Sequence, residues 1–206
     1  MNYILRIIDD MSISGQELAE LISTLPAWRQ QVVMKYKFEG GRRESALAFR
    51  MLQDILRDNK MLPEKEIKEL RFSINEHGKP SIEGHENVFF NFSHCKNAVA
   101  CVVSSEPVGV DVECIGRYNK GVAEYTLSEE ELKKLEDDED GCPRDENGLQ
   151  LQFTTFWTKK EAVLKLIGTG ITDDVKNILH LHKDDVIYDT SVCEEKKYIC
   201  TVARYR

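Results

Sequence analysis

No apolar run in this chain of 206 residues approaches the ~20 residues that cross a bilayer. The opening residues, MNYILRIIDDM, have too short an apolar stretch and too early an acidic pair for a secretory leader; their β-branched character suits a first strand. The expectation is a cytoplasmic protein with no membrane contact. A basic excess is missing too. The formal net charge is -8, which argues against a general nucleic-acid binder but leaves room for a small anionic ligand held by local charge. None of the six cysteines forms a CxxC pair, and no Cys/His grouping has zinc-finger spacing. Without an export signal, reduced thiols are expected rather than disulfides. No internal sequence repeat stands out.

What is present is unevenly distributed charge. Lys35, Lys37, Arg42 and Arg43 make a basic stretch, and Glu129 to Glu146 is strongly acidic. The hydrophobic pattern mixes strands and helices. Residues 2–8 read as a strand. Ser14 with Glu17 is a capping-box signature for a short helix. A helical pattern after Pro26 runs toward Phe38, and Gly40-Gly41 reads as its break. Ala46, Leu47, Phe49, Leu52, Ile55 and Leu56 mark a helix from Arg42 to Leu56. Strands follow at 71–74, 88–92, 98–103 and 108–113, with Ser93, His94 and Cys95 in the connection after the second of these. Residues 64–70, 121–125 and 128–135 read as helices, 137–148 as a loop, and 186–188 and 197–204 as the last strands. The chain is therefore α+β (mixed α/β), expected to divide into an N-terminal half, 1–105, and a C-terminal half, 106–206.

Two stretches carry chemistry. In Phe156–Gly170, FWTKKEAVLKLIGTG, apolar residues fall at helical spacing and Gly168 offers a stop. Glu161 and Lys165 are four apart and share a face. Alone they read as a surface ion pair. In Val108–Glu113, VGVDVE, alternation places Asp111 and Glu113 on one face of a strand, with Val110 and Val112 on the other. Two like charges side by side call for water or a cation. The two readings are a solvated edge or oxygen ligands for Mg²⁺, which shares its shell with substrate phosphates. Glu161 would complete such a site, and Lys160 and Lys165 would neutralise phosphate oxygens, the inventory for displacement at phosphorus. In Phe90–His94, FNFSH, adjacent Ser93 and His94 point apart on extended chain. They make anion-binding donors more readily than a nucleophile dyad. His77, His85, His180 and His182 read as structural or surface residues.

The order of these segments, Gly78-Lys79-Pro80, then FNFSH, then VGVDVE, then FWTKKEAVLK with Gly168-Thr169-Gly170, closely resembles the 4'-phosphopantetheinyl transferases, specifically the Sfp-type group with two related halves in one chain. The resemblance spans roughly residues 26 to 170. It implies a pseudo-twofold pair of similar α+β subdomains, active as a monomer. It implies transfer of the phosphopantetheine arm of coenzyme A to a serine of an acyl or peptidyl carrier protein, releasing adenosine 3',5'-bisphosphate. By carry-over, Asp111, Glu113 and Glu161 would hold Mg²⁺ (or Mn²⁺), Glu161 would activate the serine, and Lys165 would stabilise developing charge. Arg43, Lys79, Ser93, His94 and Lys160 would position coenzyme A. Cys95 stands where relatives often have a second serine, and the segment around Trp28 and Gln31 lacks lysines that some relatives carry. The acidic 137–146 segment is expected away from the carrier-docking surface. Two other classes fit part of the pattern. One is a non-catalytic coenzyme A or carrier-protein binding module; the other is a metal-dependent phosphohydrolase of nucleotides.

Overall fold

A computed structural model describes residues 3–116, 118–137, 140–170 and 174–206. The chain builds one topology twice. In the first unit, β1 (Tyr3–Ile8) leads through two short helices, α1 (Gly15–Ser23) and α2 (Ala27–Met34), to the long helix α3 (Glu39–Asp58). After α4 (Glu64–Lys68) and a small hairpin of β2 (Phe72–Ile74) and β3 (Pro80–Ile82) come β4 (Phe89–Cys95) and β5 (Ala98–Ser104). The sheet order β1-β5-β4 is antiparallel throughout. In the second unit, β6 (Val108–Cys114) leads through α5 (Lys120–Thr126) and α6 (Glu129–Glu136) to the long helix α7 (Glu146–Ile167). Then come α8 (Ile178–Leu181), β7 (Val186–Cys193) and β8 (Tyr198–Tyr205), in the antiparallel order β6-β8-β7. Each unit is thus strand, long helix, hairpin, with the last strand in the middle of its sheet. The mixed α+β expectation holds.

The two sheets face each other across an apolar layer of Ala98, Ala100 and Val102 from β5 against Val110, Val112, Cys200 and Val202 from β6 and β8. Helix α3 covers the outer face of the first sheet, where Phe49 and Leu52 meet Val99, Cys101 and Val103. Helix α7 covers the outer face of the second, where Ala162, Val163 and Leu166 meet Ala203. Alternation explains the layering, since odd and even residues of a central strand serve different cores. Among the described residues, no helix is long and apolar enough to cross a membrane.

Several local expectations are corrected. Gly40 and Gly41 do not break a helix; they lie in the first turn of α3, which starts at Glu39. Ser93, His94 and Cys95 belong to β4 rather than to a loop after it, paired with Ala100, Val99 and Ala98. Helix α7 starts ten residues before Phe156. Asp145 caps it by accepting from the Gly148 nitrogen at 2.7 Å, and Thr154 and Thr155 return their hydroxyls to the carbonyls of Gln150 and Leu151. Gly148 and a threonine pair are poor helix formers, so the periodicity fades there. The expected 137–148 loop falls partly outside the described residues; Asp137 bridges Pro143, and the last turn before α7 is ordered by Arg144 donating to the Glu136 carbonyl.

Candidate active site

The site begins with a glycine. A side chain at Gly109 would overlap the Ala162 carbonyl oxygen and the Leu166 nitrogen, both main-chain atoms of α7. Helix α7 therefore rests directly on β6, closer than any residue with a Cβ allows. That contact sets α7 so that Lys165 and Glu161 come beside Asp111, two residues further along β6 on the same strand face.

At the centre lies a cluster of three side chains from three elements. Lys165 Nζ donates to Asp111 Oδ1 at 2.6 Å and to Ser93 Oγ at 2.9 Å. Ser93 Oγ donates to Asp111 Oδ1 at 2.8 Å and accepts from the Val112 nitrogen at 3.1 Å. Asp111 is only 2 % exposed, and its Oδ2 has no hydrogen-bond partner among the described residues. Glu161 is linked to the cluster through charge. Burial pushes its carboxyl above the ordinary range; Asp111 adds to the rise, Lys165 opposes it, and Glu113 adds again.

Asn91 explains why β4 and β6 lie together. Strand β6 is the edge of its sheet, and an edge leaves main-chain N–H groups without ladder partners. The Val110 nitrogen donates to Asn91 Oδ1 at 3.1 Å, and the Val112 nitrogen to Ser93 Oγ. Asn91 and Ser93 are two apart on one strand face, the same stride as the two nitrogens they meet. The strands run parallel, and the N-x-S spacing of FNFSH fastens one unit to the other.

Beside the cluster opens a cleft of about 300 Å³, lined by Glu161, Lys165, Asn91, Phe92, Gly78 and Lys79 among others. The turn between β2 and β3 forms one wall and is tied to the end of α7. Lys79 Nζ donates to the Leu166 carbonyl at 2.8 Å, and Asn75 Nδ2 to the Gly168 carbonyl at 3.1 Å. Both cap the carbonyl end of a helix that closes with Gly168 at φ 80°. Burial holds the Lys79 ammonium below its ordinary pKa.

Other sequence-predicted residues stand apart. Lys160 does not reach the cleft: it is 0 % exposed, and its ammonium is committed to Glu131 at 2.8 Å and to the carbonyls of Val175 and Lys176. Three partners fill its three donors. It ties α7 to α6, and the expectation that it contacts a phosphate is corrected to a structural role. Burial lowers its pKa, against the raising influence of Glu131. Arg43 lies one turn into α3, donating to the Met11 carbonyl at 2.8 Å and to Glu39 at 2.9 Å. His94 is on the opposite face of β4 from Ser93, half exposed, with Nδ1 3.1 Å from Glu44. No Ser93–His94 dyad exists. Sequence reading did not single out Asn91, Asn75 or Glu44. Their types signal hydrogen bonding, but their partners are distant in sequence.

Among the described residues, no three His, Cys, Asp or Glu side chains are packed closely enough to form a metal-binding group. The Lys165 ammonium is the cation nearest Asp111 here. The donor set nevertheless fits a hard divalent ion: the oxygens are carboxylates, Asp111 Oδ2 is a buried acceptor with no partner among the described residues, and burial together with the charge of Asp111 raises Glu161.

Known transferases resemble this chain in sequence. Residues 107–205, the second unit, match the model of the 4'-phosphopantetheinyl transferase superfamily. The 4'-phosphopantetheinyl transferase ffp of Bacillus subtilis is 26 % identical over 85 % of this chain and 75 % of its own length. The 4'-phosphopantetheinyl transferase gsp of Aneurinibacillus migulanus is 29 % identical over 73 % of this chain and 59 % of its own. AcpT of Salmonella typhi, also named a 4'-phosphopantetheinyl transferase, is 34 % identical over 63 % of this chain and 62 % of its own. With two like units in one chain and the carboxylate–lysine cluster where they meet, the second unit matches the 4'-phosphopantetheinyl transferase superfamily, and most of the chain is similar to transferases of that name, Sfp of Bacillus subtilis among them.

Proposed function

We propose that the protein transfers the 4'-phosphopantetheine arm of coenzyme A to a serine of an apo acyl or peptidyl carrier protein, releasing adenosine 3',5'-bisphosphate. The observation that carries this reading is the convergence of Asp111, Glu161 and Lys165 from β6 and α7 at a cleft whose far wall comes from the first unit. A pure binding module has no need of a buried carboxylate raised above its ordinary range beside a lysine.

The serine oxygen attacks the phosphorus that bears pantetheine, its proton goes to Glu161, and the P–O bond to the adenosine-side phosphate breaks. Burial and neighbouring negative charge raise Glu161, which makes it a stronger base than an exposed carboxylate. Lys165, held at Asp111, offers its charge to the departing phosphate. Asp111, Glu113 and Glu161 would hold Mg²⁺ or Mn²⁺, which would neutralise pyrophosphate oxygens. His94, Lys79 and Arg43 are the basic groups we assign to the phosphates and nucleotide of coenzyme A. The halves 1–105 and 106–206 then act as two jaws of one site, a monomer suffices, and the reaction belongs in the cytoplasm.

The test is intact mass spectrometry of an apo carrier protein incubated with this protein, coenzyme A and Mg²⁺, beside an EDTA control. Gain of one phosphopantetheine, absent with EDTA, is expected. Release of adenosine bisphosphate without any carrier would indicate a phosphohydrolase. Coenzyme A binding with no transfer to acyl or peptidyl carriers would indicate a binding module.

A further inference from the structure

Ser93 has no hydrogen-bonding capacity left for a ligand. A hydroxyl offers one donor and two acceptor lone pairs. Its proton goes to Asp111 Oδ1, and its lone pairs receive the Val112 N–H and the Lys165 ammonium. The residue is buried within β4, and its strand is anchored one stride away by Asn91. All three of its hydrogen-bond partners belong to the second unit.

Resting on the transferase reading above, we propose that Ser93 is a positioning residue and not a contact to coenzyme A. It fixes Asp111 through Oδ1, leaves Oδ2 as the oxygen offered to a divalent cation, and holds Lys165 at the same carboxylate. The first unit thereby sets the metal site of the second. A phosphate could take the Ser93 proton only by releasing Asp111, which would loosen the ligand that the phosphate's own counter-ion needs. Outer partners of this kind orient a ligand and tune its affinity.

The experiment measures two affinities separately on the full chain. Coenzyme A binding is measured calorimetrically in EDTA, and Mn²⁺ binding to the coenzyme A complex by titration of the free-ion paramagnetic signal. In Ser93→Ala, Mn²⁺ affinity falls about 10- to 100-fold, while coenzyme A affinity in EDTA changes less than about twofold. Ser93→Thr, which keeps the hydroxyl, restores most of the metal affinity. Asn91→Ala removes the neighbouring strut, which does not touch Asp111; it lowers thermal stability without the selective loss of metal. If Ser93→Ala folds poorly, Ser93→Cys, with a weak donor of similar size, shows the same ordering. A loss confined to coenzyme A binding in EDTA would make Ser93 a ligand contact and overturn the proposal. So would unchanged Mn²⁺ binding in Ser93→Ala. Failure of the wild-type protein to bind either coenzyme A or Mn²⁺ would instead overturn the transferase reading.

Discussion

Helix α3 turns Phe49, Leu52, Ile55 and Leu56 onto its sheet, all without solvent exposure. Helix α7 lies in the same place on the other sheet, yet it brings Thr158, Lys160, Glu161 and Lys165 into contact with the protein interior together with Ala162 and Val163. The first helix is held by aromatic and aliphatic packing, with Trp28 and Phe72 against its Phe49 and Phe90 against Phe72. The second is held by close main-chain approach at Gly109 and by polar bonds to β6, β8 and α6. One topology has two uses. Apolar packing gives the first unit stability at little polar cost. Buried polar groups in the second cost desolvation and give fixed charges where chemistry needs them.

Substitutions in the two helices should therefore separate chemistry from stability. Glu161→Gln is nearly isosteric and removes a repelled charge, so turnover should fall about 10²- to 10⁴-fold with no loss of melting temperature; wild-type turnover would remove Glu161 from the mechanism. Gly109→Ala drives a methyl into the α7 backbone. It should cost about 1–3 kcal/mol and, by shifting Glu161 and Lys165 from Asp111, about 100-fold in kcat/KM. Urea titration and steady-state kinetics check the two parts. If only stability changes, α7 tolerates displacement and the close approach does not set the site. Phe49→Ala in α3 should cost about 3–5 kcal/mol and leave the kcat of folded molecules within about twofold. A large change in kcat would mean that the first core also tunes the chemistry.

Lys160→Met tests the corrected residue. Removing one member of a buried pair leaves Glu131 with uncompensated charge, so a loss of about 3 kcal/mol is expected with KM for coenzyme A unchanged. A raised KM without a stability change would return Lys160 to the phosphate site. The smallest effect concerns the thiols. Cys142 is exposed, whereas Cys95 and Cys200 sit in the layer between the sheets, where burial pushes each thiol up to about 12. With iodoacetamide at pH 8, Cys142 should react roughly 100-fold or more faster than these two. Equal rates would show that the layer opens readily.

Much of the site was legible in the sequence because each motif sits on a single element. Alternation along VGVDVE puts Asp111 and Glu113 on one face of β6, and the four-residue spacing of Glu161 and Lys165 survives in α7. The capping boxes at Ser14 and Ser128 depend on residues three apart, and both form. Legibility ended where partners come from elsewhere. Lys159, Lys160 and Lys165 are alike as letters. Helix rotation and neighbouring segments sent Lys160 to Glu131 and Lys165 to Asp111, and left Lys159 with its ammonium 5.9 Å from the ring centre of Tyr188.

Local pattern thus determined the α+β class, the strands that carry the carboxylates and the helix that carries the lysines, because periodicity and capping act over a few residues. Tertiary structure decided which unit's edge β6 would be fastened to, which lysine would be buried, and that Ser93 would turn to Asp111. Those outcomes follow from the free edge of one sheet meeting Asn91 and Ser93 of the other, a contact between segments that no local spacing records.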